Sequence, residues 1–426
     1  MITVHNRSVS REQLLALPTQ HRALRPIGQS AHRLYAVCLN DPLLTVAIVE
    51  WLRELGQSVL LLHGGLPFEA ARELAIAAGC SGLVHTDLEQ YCPLPGRAAF
   101  VSASAAASGE DAPSLYQYSS GTTGKPKLIG RTWKAVEAEI RRYNDALARG
   151  GLADARPIVL ASTAHSYGLI TGIFAAWDRG VHPVIPGQLQ PKLIVNSIRE
   201  TREHLLYAVP TMLHSLADML EAAAVRLHAA VTSGAPMPRG LFERCRPLSA
   251  LLVQQYGCTE AGCVSLAVGM ETHDDLGHPL PGVEAEAPGT EGAPAEIAVR
   301  VNGGPRIRTG DLGFAAASGR LRFTARMDDL INVSGLKVSP LEVEEVIARM
   351  PGIVEVVVYK GVHPQGGDRV AVLAQADESV SEERIREWCA KHLPPYKVPA
   401  EIRIVEAIPR TWTGKISRRL AAQGGA

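Results

Sequence analysis

The run Tyr118-Ser119-Ser120-Gly121-Thr122-Thr123-Gly124-Lys125-Pro126-Lys127 contains the highest density of phosphate-binding groups in this sequence. Its hydroxyls and lysines supply hydrogen-bond donors and positive charge, and its glycines let the backbone approach a ligand closely. These properties predict a loop that binds a polyphosphate. A Walker loop would need glycine in place of Ser119 and serine or threonine in place of Pro126. A flexible surface turn is the alternative interpretation.

Four further motifs follow this loop in the sequence. They are Tyr256-Gly257-Cys258-Thr259-Glu260, Arg308-Thr309-Gly310-Asp311, the run 328–344 and the run 409–418. A carboxylate beside phosphates can hold Mg²⁺, and the two oxygens of an aspartate can accept hydrogen bonds from both hydroxyls of a ribose. Taken singly, each motif also fits an ordinary turn or an exposed polar face.

Together the five motifs resemble those of the adenylate-forming superfamily, which comprises acyl- and aryl-CoA ligases, peptide-synthetase adenylation domains and luciferases. The resemblance covers residues 114–419. It implies that ATP and Mg²⁺ activate a small-molecule carboxylic acid to acyl-AMP, and that the acyl group then passes to a thiol. Two thiols stay open, coenzyme A and the phosphopantetheine arm of an acyl carrier protein.

The resemblance implies roles for individual residues. The residues expected to bind ATP or AMP are Ser119, Ser120, Gly121, Thr122, Thr123, Gly124, Lys125, Gly234, Ala235, Pro236, Tyr256, Gly257, Asp311 and Arg326. Thr259 is expected to meet the α-phosphate, and Glu260 to hold the metal. Lys415 is expected to be the catalytic lysine, since its mobile charge can follow negative charge from the carboxylate to the leaving pyrophosphate.

The resemblance places the acyl pocket behind the segment 162–169. The residues expected to line the pocket are His165, Tyr167, Gly168, Cys258 and Cys263. The segment has no carboxylate to bind the ammonium of an α-amino acid, and a buried ammonium without a partner is costly. A simple carboxylic acid is therefore favoured. His165 and Tyr167 suit an aromatic or short unsaturated acid, although both residue types are also common in cores.

A mobile C-terminal domain is the second implication of the resemblance. Asp328 falls at the expected hinge, and Gly335, Leu336 and Lys337 are expected to line the tunnel of the thiol after the domain rotates. The predicted boundary gives a core domain of residues 1–326 and a mobile domain of residues 327–426.

The pattern of apolar residues predicts the elements that hold these motifs. Strands are expected over 59–62, 82–85, 158–161, 183–185, 206–208, 229–232 and 251–254, and helices over 67–78, 134–148, 191–201 and 210–223. This alternation predicts a large layered α/β domain with parallel sheets, whose ligands lie at the carboxyl ends of strands.

The residue composition changes after Gly269. Recurring glycines and prolines with β-like runs at 296–301 and 320–324 predict a β-rich subdomain. Beyond residue 328, helices over 340–349 and 381–392 and strands over 353–360, 370–376 and 401–405 predict a small α+β domain.

Composition excludes several classes of protein. The 426 residues suffice for two or three domains, and 43 basic against 43 acidic residues leave no net charge to attract nucleic acid or an anionic membrane. Seven cysteines without a C-x-x-C pair favour a reducing, cytoplasmic location. The first ten residues do not resemble a secretion signal. The uncharged stretch 157–177 is long enough to span a bilayer, but its polar side chains favour a buried strand followed by a helix. No oligomeric state is predicted.

Two other classes of function compete with the ligase. A P-loop kinase or ATPase is disfavoured by Pro126, and a catalytically silent nucleotide-binding protein is disfavoured by the presence of Lys415. The sequence also departs from the family pattern, because it is short before the phosphate loop and has Trp133 where many relatives have histidine.

Overall fold

The computed structural model describes residues 1–4, 7–28, 32–96, 112–119, 127–186, 190–333, 335–362, 368–410 and 416–423. The strands are β1 (Ile2–Val4), β2 (Arg7–Val9), β3 (Leu34–Leu39), β4 (Ser58–His63), β5 (Gly82–His85), β6 (Tyr91–Pro93), β7 (Ser114–Ser119), β8 (Lys127–Thr132), β9 (Arg156–Val159), β10 (Val184–Ile185), β11 (His204–Tyr207), β12 (Leu227–Thr232), β13 (Ser249–Cys258), β14 (Gly262–Val268), β15 (Asp275–Pro279), β16 (Val283–Glu286), β17 (Ala295–Val301), β18 (Ile307–Ala315), β19 (Leu321–Arg326), β20 (Ile331–Val333), β21 (Leu336–Val338), β22 (Ile353–Val362), β23 (Asp368–Ala376) and β24 (Glu401–Ile404).

Helices alternate with these strands. They are α1 (Arg11–Thr19), α2 (Pro42–Glu54), α3 (Phe68–Ala77), α4 (Trp133–Arg149), α5 (Ala175–Asp178), α6 (Pro191–Glu200), α7 (Pro210–Ala222), α8 (Arg239–Leu248), α9 (Pro340–Ala348), α10 (Glu382–His392) and α11 (Arg418–Gln423). Short 3₁₀ turns cover Arg22–Leu24, Met327–Asp329 and Pro395–Lys397, and a π-helical segment covers Tyr167–Phe174. The predicted fold class, a large α/β part followed by a smaller α+β domain, is confirmed.

Two sheets build the large part. The smaller sheet has the strand order β6-β5-β3-β4-β7-β8, and the larger has the order β16-β17-β18-β19-β15-β14-β13-β12-β11-β9-β10-β1-β2. The strands at the centre of each sheet are parallel. Parallel strands need crossover connections, usually helices, and are then covered on both faces. Strand β3, for example, is buried along its whole length.

The predicted alternation of strands and helices is confirmed. The seven predicted strands correspond to β4, β5 and β9–β13, and the four predicted helices correspond to α3, α4, α6 and α7, with ends shifted by a few residues. The apolar stretch 157–177 contains β9, a turn and the π-helical segment that leads into α5, as expected. In the part of the chain that the structure describes, no helix has the length and apolarity needed to cross a membrane.

The β-rich region predicted after Gly269 is also confirmed, and it extends the larger sheet. Strand β15 pairs with β14 on one side and with β19 on the other, so β15–β19 continue the sheet as antiparallel strands. A buried ion pair fastens this extension: Arg320 donates hydrogen bonds to both oxygens of Asp275, at 3.1 Å from Nε. Burial alone would raise the pKa of Asp275, but hydrogen bonds from Arg320 and the N–H groups of Glu271 and Gly277 bring it below its ordinary value.

The C-terminal domain is a three-stranded sheet with helices on both faces. Strand β23 lies between β22 and β24, and helices α9 and α10 pack with one face of this sheet around a core that includes Val343, Ile385 and Val372. Helix α11 contributes Ala421 to the opposite face. The helices and strands predicted for this domain are confirmed. The boundary after residue 326 stays a prediction.

Replacement of Asp275 with alanine should lower the free energy of unfolding by about 3–5 kcal/mol, because Arg320, whose side chain is 12% exposed, loses its main partner. Urea denaturation near neutral pH measures this difference. Since folding lowers the pKa of Asp275, its stabilising contribution is complete above the ordinary pKa of about 4 and is lost as the pH falls through the lower folded value. The gap between wild type and variant should therefore narrow in acid, and a constant gap would contradict the assignment.

Candidate active site

Asp311 lies buried between two other residues of the predicted nucleotide site. Its Oδ1 accepts a hydrogen bond from Nη1 of Arg326, and its Oδ2 accepts one from the hydroxyl of Tyr256, each at 2.8 Å. Strand pairing explains the first contact, since Asp311 on β18 is the register partner of Arg326 on β19. The structure thus brings together three residues that are distant in sequence, and their role in nucleotide binding stays a prediction.

The surroundings of Asp311 set its protonation. Burial raises the pKa of its carboxyl above the ordinary value, and Arg326 and the Tyr256 hydroxyl oppose that rise. Burial also raises the pKa of Tyr256, which keeps its hydroxyl a donor. Each carboxylate oxygen retains a second lone pair, so an ionised Asp311 can still accept two hydrogen bonds from a vicinal diol.

Thr259 and Glu260 lie in the turn that joins β13 to β14. The two strands lose regular register at Tyr256–Gly257, just before this turn. Among the described residues no three His, Cys, Asp or Glu side chains are grouped to bind a metal ion. Mg²⁺ is usually bound by one or two carboxylates together with substrate phosphates, so the half-buried Glu260 fits the metal that the sequence predicts.

The predicted phosphate loop joins two paired strands. Ser119, at the end of β7, is the register partner of Lys127 at the start of β8. The residues between them that were predicted to bind phosphate lie outside the described residues; they are Ser120, Gly121, Thr122, Thr123, Gly124 and Lys125.

The predicted acyl pocket centres on the start of the π-helical segment. Tyr167 donates a hydrogen bond to the carbonyl oxygen of Val231 at 2.6 Å, and its ring centroid lies 5.5 Å from that of Tyr207. A Cβ at Gly168 would overlap the carbonyl oxygen of Ser162, so only glycine fits there. The hydroxyl of Tyr167 is therefore held by the core, and its ring is what an acid could contact.

The other predicted pocket residues differ in exposure. His165 is half-buried, with its ring centroid 6.4 Å from that of His63. Burial raises the pKa of the half-buried Cys258 to about 12, so its thiol stays protonated. Cys263 is 1% exposed and packs within the core.

A buried ion pair that the sequence analysis missed lies beside this pocket. Arg131 on β8 pairs with Glu139 on α4, and both side chains are buried. The backbone N–H of Cys263 donates to Oε1 of Glu139 at 2.7 Å, and Nη2 of Arg131 donates to the hydroxyl of Ser166 at 3.1 Å. The available signal was Glu139 itself, an acidic residue on the apolar face of a predicted helix.

Two buried polar atoms, also missed, lie where the parallel pairing of β12 with β13 ends. Thr232 on β12 and Gln254 on β13 are register partners. Within the described ranges, neither Oγ1 of Thr232 nor Oε1 of Gln254 has a hydrogen-bond partner. The predicted nucleotide residues Gly234, Ala235 and Pro236 follow β12 after Ser233 and are exposed. Unsatisfied buried acceptors at this edge of a sheet are what a ligand with donor groups would need.

The predicted hinge and thiol residues lie at the surface. Asp328 is exposed in the 3₁₀ turn Met327–Asp329. Gly335, Leu336 and Lys337 are exposed in the hairpin β20–β21, and half of the Leu336 surface is accessible, at 50%. Lys415 lies outside the described residues, between the bridge partners Arg410 and Ile416.

The chain is similar to known proteins along its whole length. Family models described as AMP-binding enzyme and AMP-binding enzyme C-terminal domain match residues 34–302 and 342–415. The 3,4-dihydroxybenzoate–[aryl-carrier protein] ligase of Bacillus anthracis is 41% identical over 424 residues, which cover 100% of this chain and 99% of that protein. The anthranilate–CoA ligase of Pseudomonas aeruginosa is 27% identical over 71% of this chain and 65% of its own length.

Solved structures share the fold at low identity. The ATP-bound MatB of Rhodopseudomonas palustris superposes with a TM-score of 0.82 at 17% identity, over 99% of this chain and 95% of that one. The o-succinylbenzoate CoA synthetase of Bacillus subtilis, in complex with its acyl-adenylate intermediate, superposes with a TM-score of 0.80 at 22% identity, over the same shares.

Replacement of Arg326 with methionine removes a positive charge that opposes the raised pKa of Asp311, so that pKa should rise further. If ionised Asp311 binds the ribose, the KM for ATP increases as the pH falls toward this pKa. The increase should begin at a higher pH in the variant, measured by acid-dependent pyrophosphate exchange from about pH 5 to 9. Arg326→Lys, which keeps the charge, should retain the wild-type profile. Parallel profiles for all three proteins would contradict the role of Asp311.

Proposed function

Because the chain belongs to the family of AMP-binding enzymes and is an ATP-dependent acid–thiol ligase, we propose that its acid is 3,4-dihydroxybenzoate and its thiol is the phosphopantetheine arm of an aryl carrier protein. The observation that carries this proposal is the full-length similarity to a ligase of that name, since the CoA ligases match over a smaller share of the chain.

The nucleotide site uses residues of β13, β18 and β19 in the larger sheet. Tyr256 packs against the adenine and Asp311 accepts hydrogen bonds from the two ribose hydroxyls, while the charge of Arg326 favours the ionised carboxylate. The buried Oε1 of Gln254 accepts a hydrogen bond from the exocyclic amino group of adenine, which supplies the partner that this oxygen lacks within the described residues.

The chemistry proceeds in two steps. A carboxylate oxygen of the acid forms a bond to the α-phosphorus of ATP, the bond from that phosphorus to the pyrophosphate breaks, and acyl-AMP results. The thiol sulfur then bonds to the acyl carbon, loses its proton, and displaces AMP. Thr259 donates to the α-phosphate, and Lys415 stabilises the charge that develops in the first step. Glu260 would hold Mg²⁺, which neutralises phosphate charge when it is bound.

The electrostatics of the acyl pocket favour an acid without an ammonium group. The segment 162–169 contains no carboxylate. Ser166 in this segment is linked through Arg131 to the buried carboxylate of Glu139. That carboxylate is already paired with Arg131 and with the N–H of Cys263. The half-buried ring of Tyr167, which packs against the fully buried ring of Tyr207, supplies an aromatic face that suits a flat aryl acid.

The two steps use two orientations of the C-terminal domain. Rotation about Asp328, between a core of residues 1–326 and a mobile domain of residues 327–426, removes Lys415 after the first step and brings Gly335, Leu336 and Lys337 to the thiol. The exposed position of the hairpin β20–β21 supports this assignment. We place the enzyme in the cytoplasm, in keeping with its free cysteines.

Pyrophosphate exchange over a panel of acids tests the proposal. Exchange into ATP should be fastest with 3,4-dihydroxybenzoate and slower with benzoate, anthranilate, a fatty acid and an α-amino acid. In the second step, a carrier protein bearing phosphopantetheine should accept the aryl group faster than coenzyme A does. Preference for another acid would contradict the substrate, and equal rates with the two thiols would contradict the acceptor.

Replacement of Gln254 with leucine should raise the KM for ATP about 2- to 10-fold, the usual value of one hydrogen bond. Stability should stay the same or increase, because an unsatisfied buried acceptor is removed. ITP, which lacks the amino group of adenine, provides the control: the ratio of its KM to that of ATP should fall in the variant. An unchanged ratio would remove Gln254 from the adenine site.

A further inference from the structure

The ion pair between Arg131 and Glu139 lies where three parts of the candidate site meet. Arg131 is on β8, the strand that follows the phosphate loop, and donates to Ser166 in the acyl segment. Glu139 accepts from the N–H of Cys263, which follows the turn that contains Glu260. The pair therefore joins the strand after the predicted phosphate loop, the predicted acid segment and the strand after the predicted metal-binding turn.

Gln117 completes the connection from the strand that precedes the phosphate loop. The hydroxyl of Ser166 donates to Oε1 of Gln117, and Nε2 of Gln117 donates to the carbonyl oxygen of Ala164 at 3.3 Å. Gln117 is 7% exposed. Both strands of the hairpin β7–β8 are thus bound to Ser166, one through Gln117 and the other through Arg131.

Backbone packing around the ion pair leaves little room for adjustment. Gly262 has a φ of +74°, and a Cβ there would overlap both the guanidinium of Arg131 and the carboxylate of Glu139. The side chain of Glu139 is 2% exposed and that of Arg131 is 9% exposed. A buried charge pair adds little net stability compared with apolar residues, whereas loss of one partner is costly. Stability alone therefore does not explain a pair at this place.

We propose that Arg131 and Glu139 are positioning residues that, through Ser166, set the distance between the acid and the α-phosphate in the adenylation step. This inference rests on the proposed function, which assigns the acid to segment 162–169 and the phosphates to the loop between β7 and β8. Bond formation requires the reacting atoms to approach to about 3–3.5 Å. Because acid and phosphate sit on different segments, the contacts that join the segments determine this approach.

Ser166→Ala tests the link while leaving the ion pair intact. The rate of acid-dependent pyrophosphate exchange at saturating substrates should fall about 10- to 100-fold, as expected for a small misplacement of reacting groups. Binding of ATP without acid should stay within about twofold of wild type. Transfer of the acyl group from supplied acyl-adenylate to the thiol should be nearly unchanged, because acid and phosphate are already joined.

The double variant Arg131→Met with Glu139→Gln tests the pair itself. Glutamine still accepts from the N–H of Cys263, and no buried charge is left without a partner. The double variant should lose activity in the first step and keep it in the second, as Ser166→Ala should. The matched control, Arg320→Met with Asp275→Asn, removes another buried ion pair of the same fold and should keep both steps.

Three outcomes would overturn the inference. They are wild-type exchange rates in Ser166→Ala, equal losses in both steps in either variant, and a comparable loss of exchange in the control. The acid used throughout is whichever one the wild type activates best in the panel. A wrong assignment of 3,4-dihydroxybenzoate would therefore appear in the wild type alone, and the comparison between variants would still decide the role of the ion pair.

Discussion

Burial of the Glu139 carboxylate constrains the arrangement of the candidate site more than any other interaction described above. A charge with 1% residue exposure must be paired, and its partners come from β8 and from the start of β14. Satisfying this one group fixes helix α4 against the hairpin β7–β8 and against the start of β14. This requirement joins β8, which follows the predicted phosphate loop, to Ser166 in the predicted acid segment and to the strand that follows the turn with Glu260.

A second buried carboxylate, Asp311, follows the same rule with a different result. Its partners Tyr256 and Arg326 belong to β13 and β19, so pairing the charge joins the parallel part of the larger sheet to its antiparallel extension. The pKa of Asp311 is nevertheless raised, whereas that of Asp275 is lowered by a more complete set of donors. Asp275 is saturated by the protein, and Asp311 keeps acceptor capacity for a ligand.

The sequence predicted local features well and tertiary contacts poorly. Apolar periodicity located α7 and β12, because the spacing of the buried residues within one element can be read directly from the sequence. It missed the pairing of Arg131 with Glu139, because Arg131 lies in a strand whose exposed and half-buried positions resemble a solvated edge. Gln254 was missed for a related reason, because the presence or absence of a hydrogen-bond partner for its Oε1 depends on residues that are distant in sequence. The motif residues were assigned through resemblance to a family, and the structure shows which of the described ones are in contact with one another.

Arg418, the first residue of α11, connects the end of the last motif to the residue after the predicted hinge. Arg418, three residues after Lys415, donates to the carbonyl oxygen of Val358 at 3.0 Å, to Asp329 at 2.8 Å and to Glu344 at 2.9 Å. These contacts attach the end of the motif to the sheet of the C-terminal domain and to the residue after Asp328. Movement of Arg418 apart from the domain would break its ion pairs with Asp329 and Glu344, both of which are partly buried. Under the proposed mechanism, rotation of the whole domain at the stretch before Asp329 would leave all three contacts intact, so it would cost less than separate movement of Arg418.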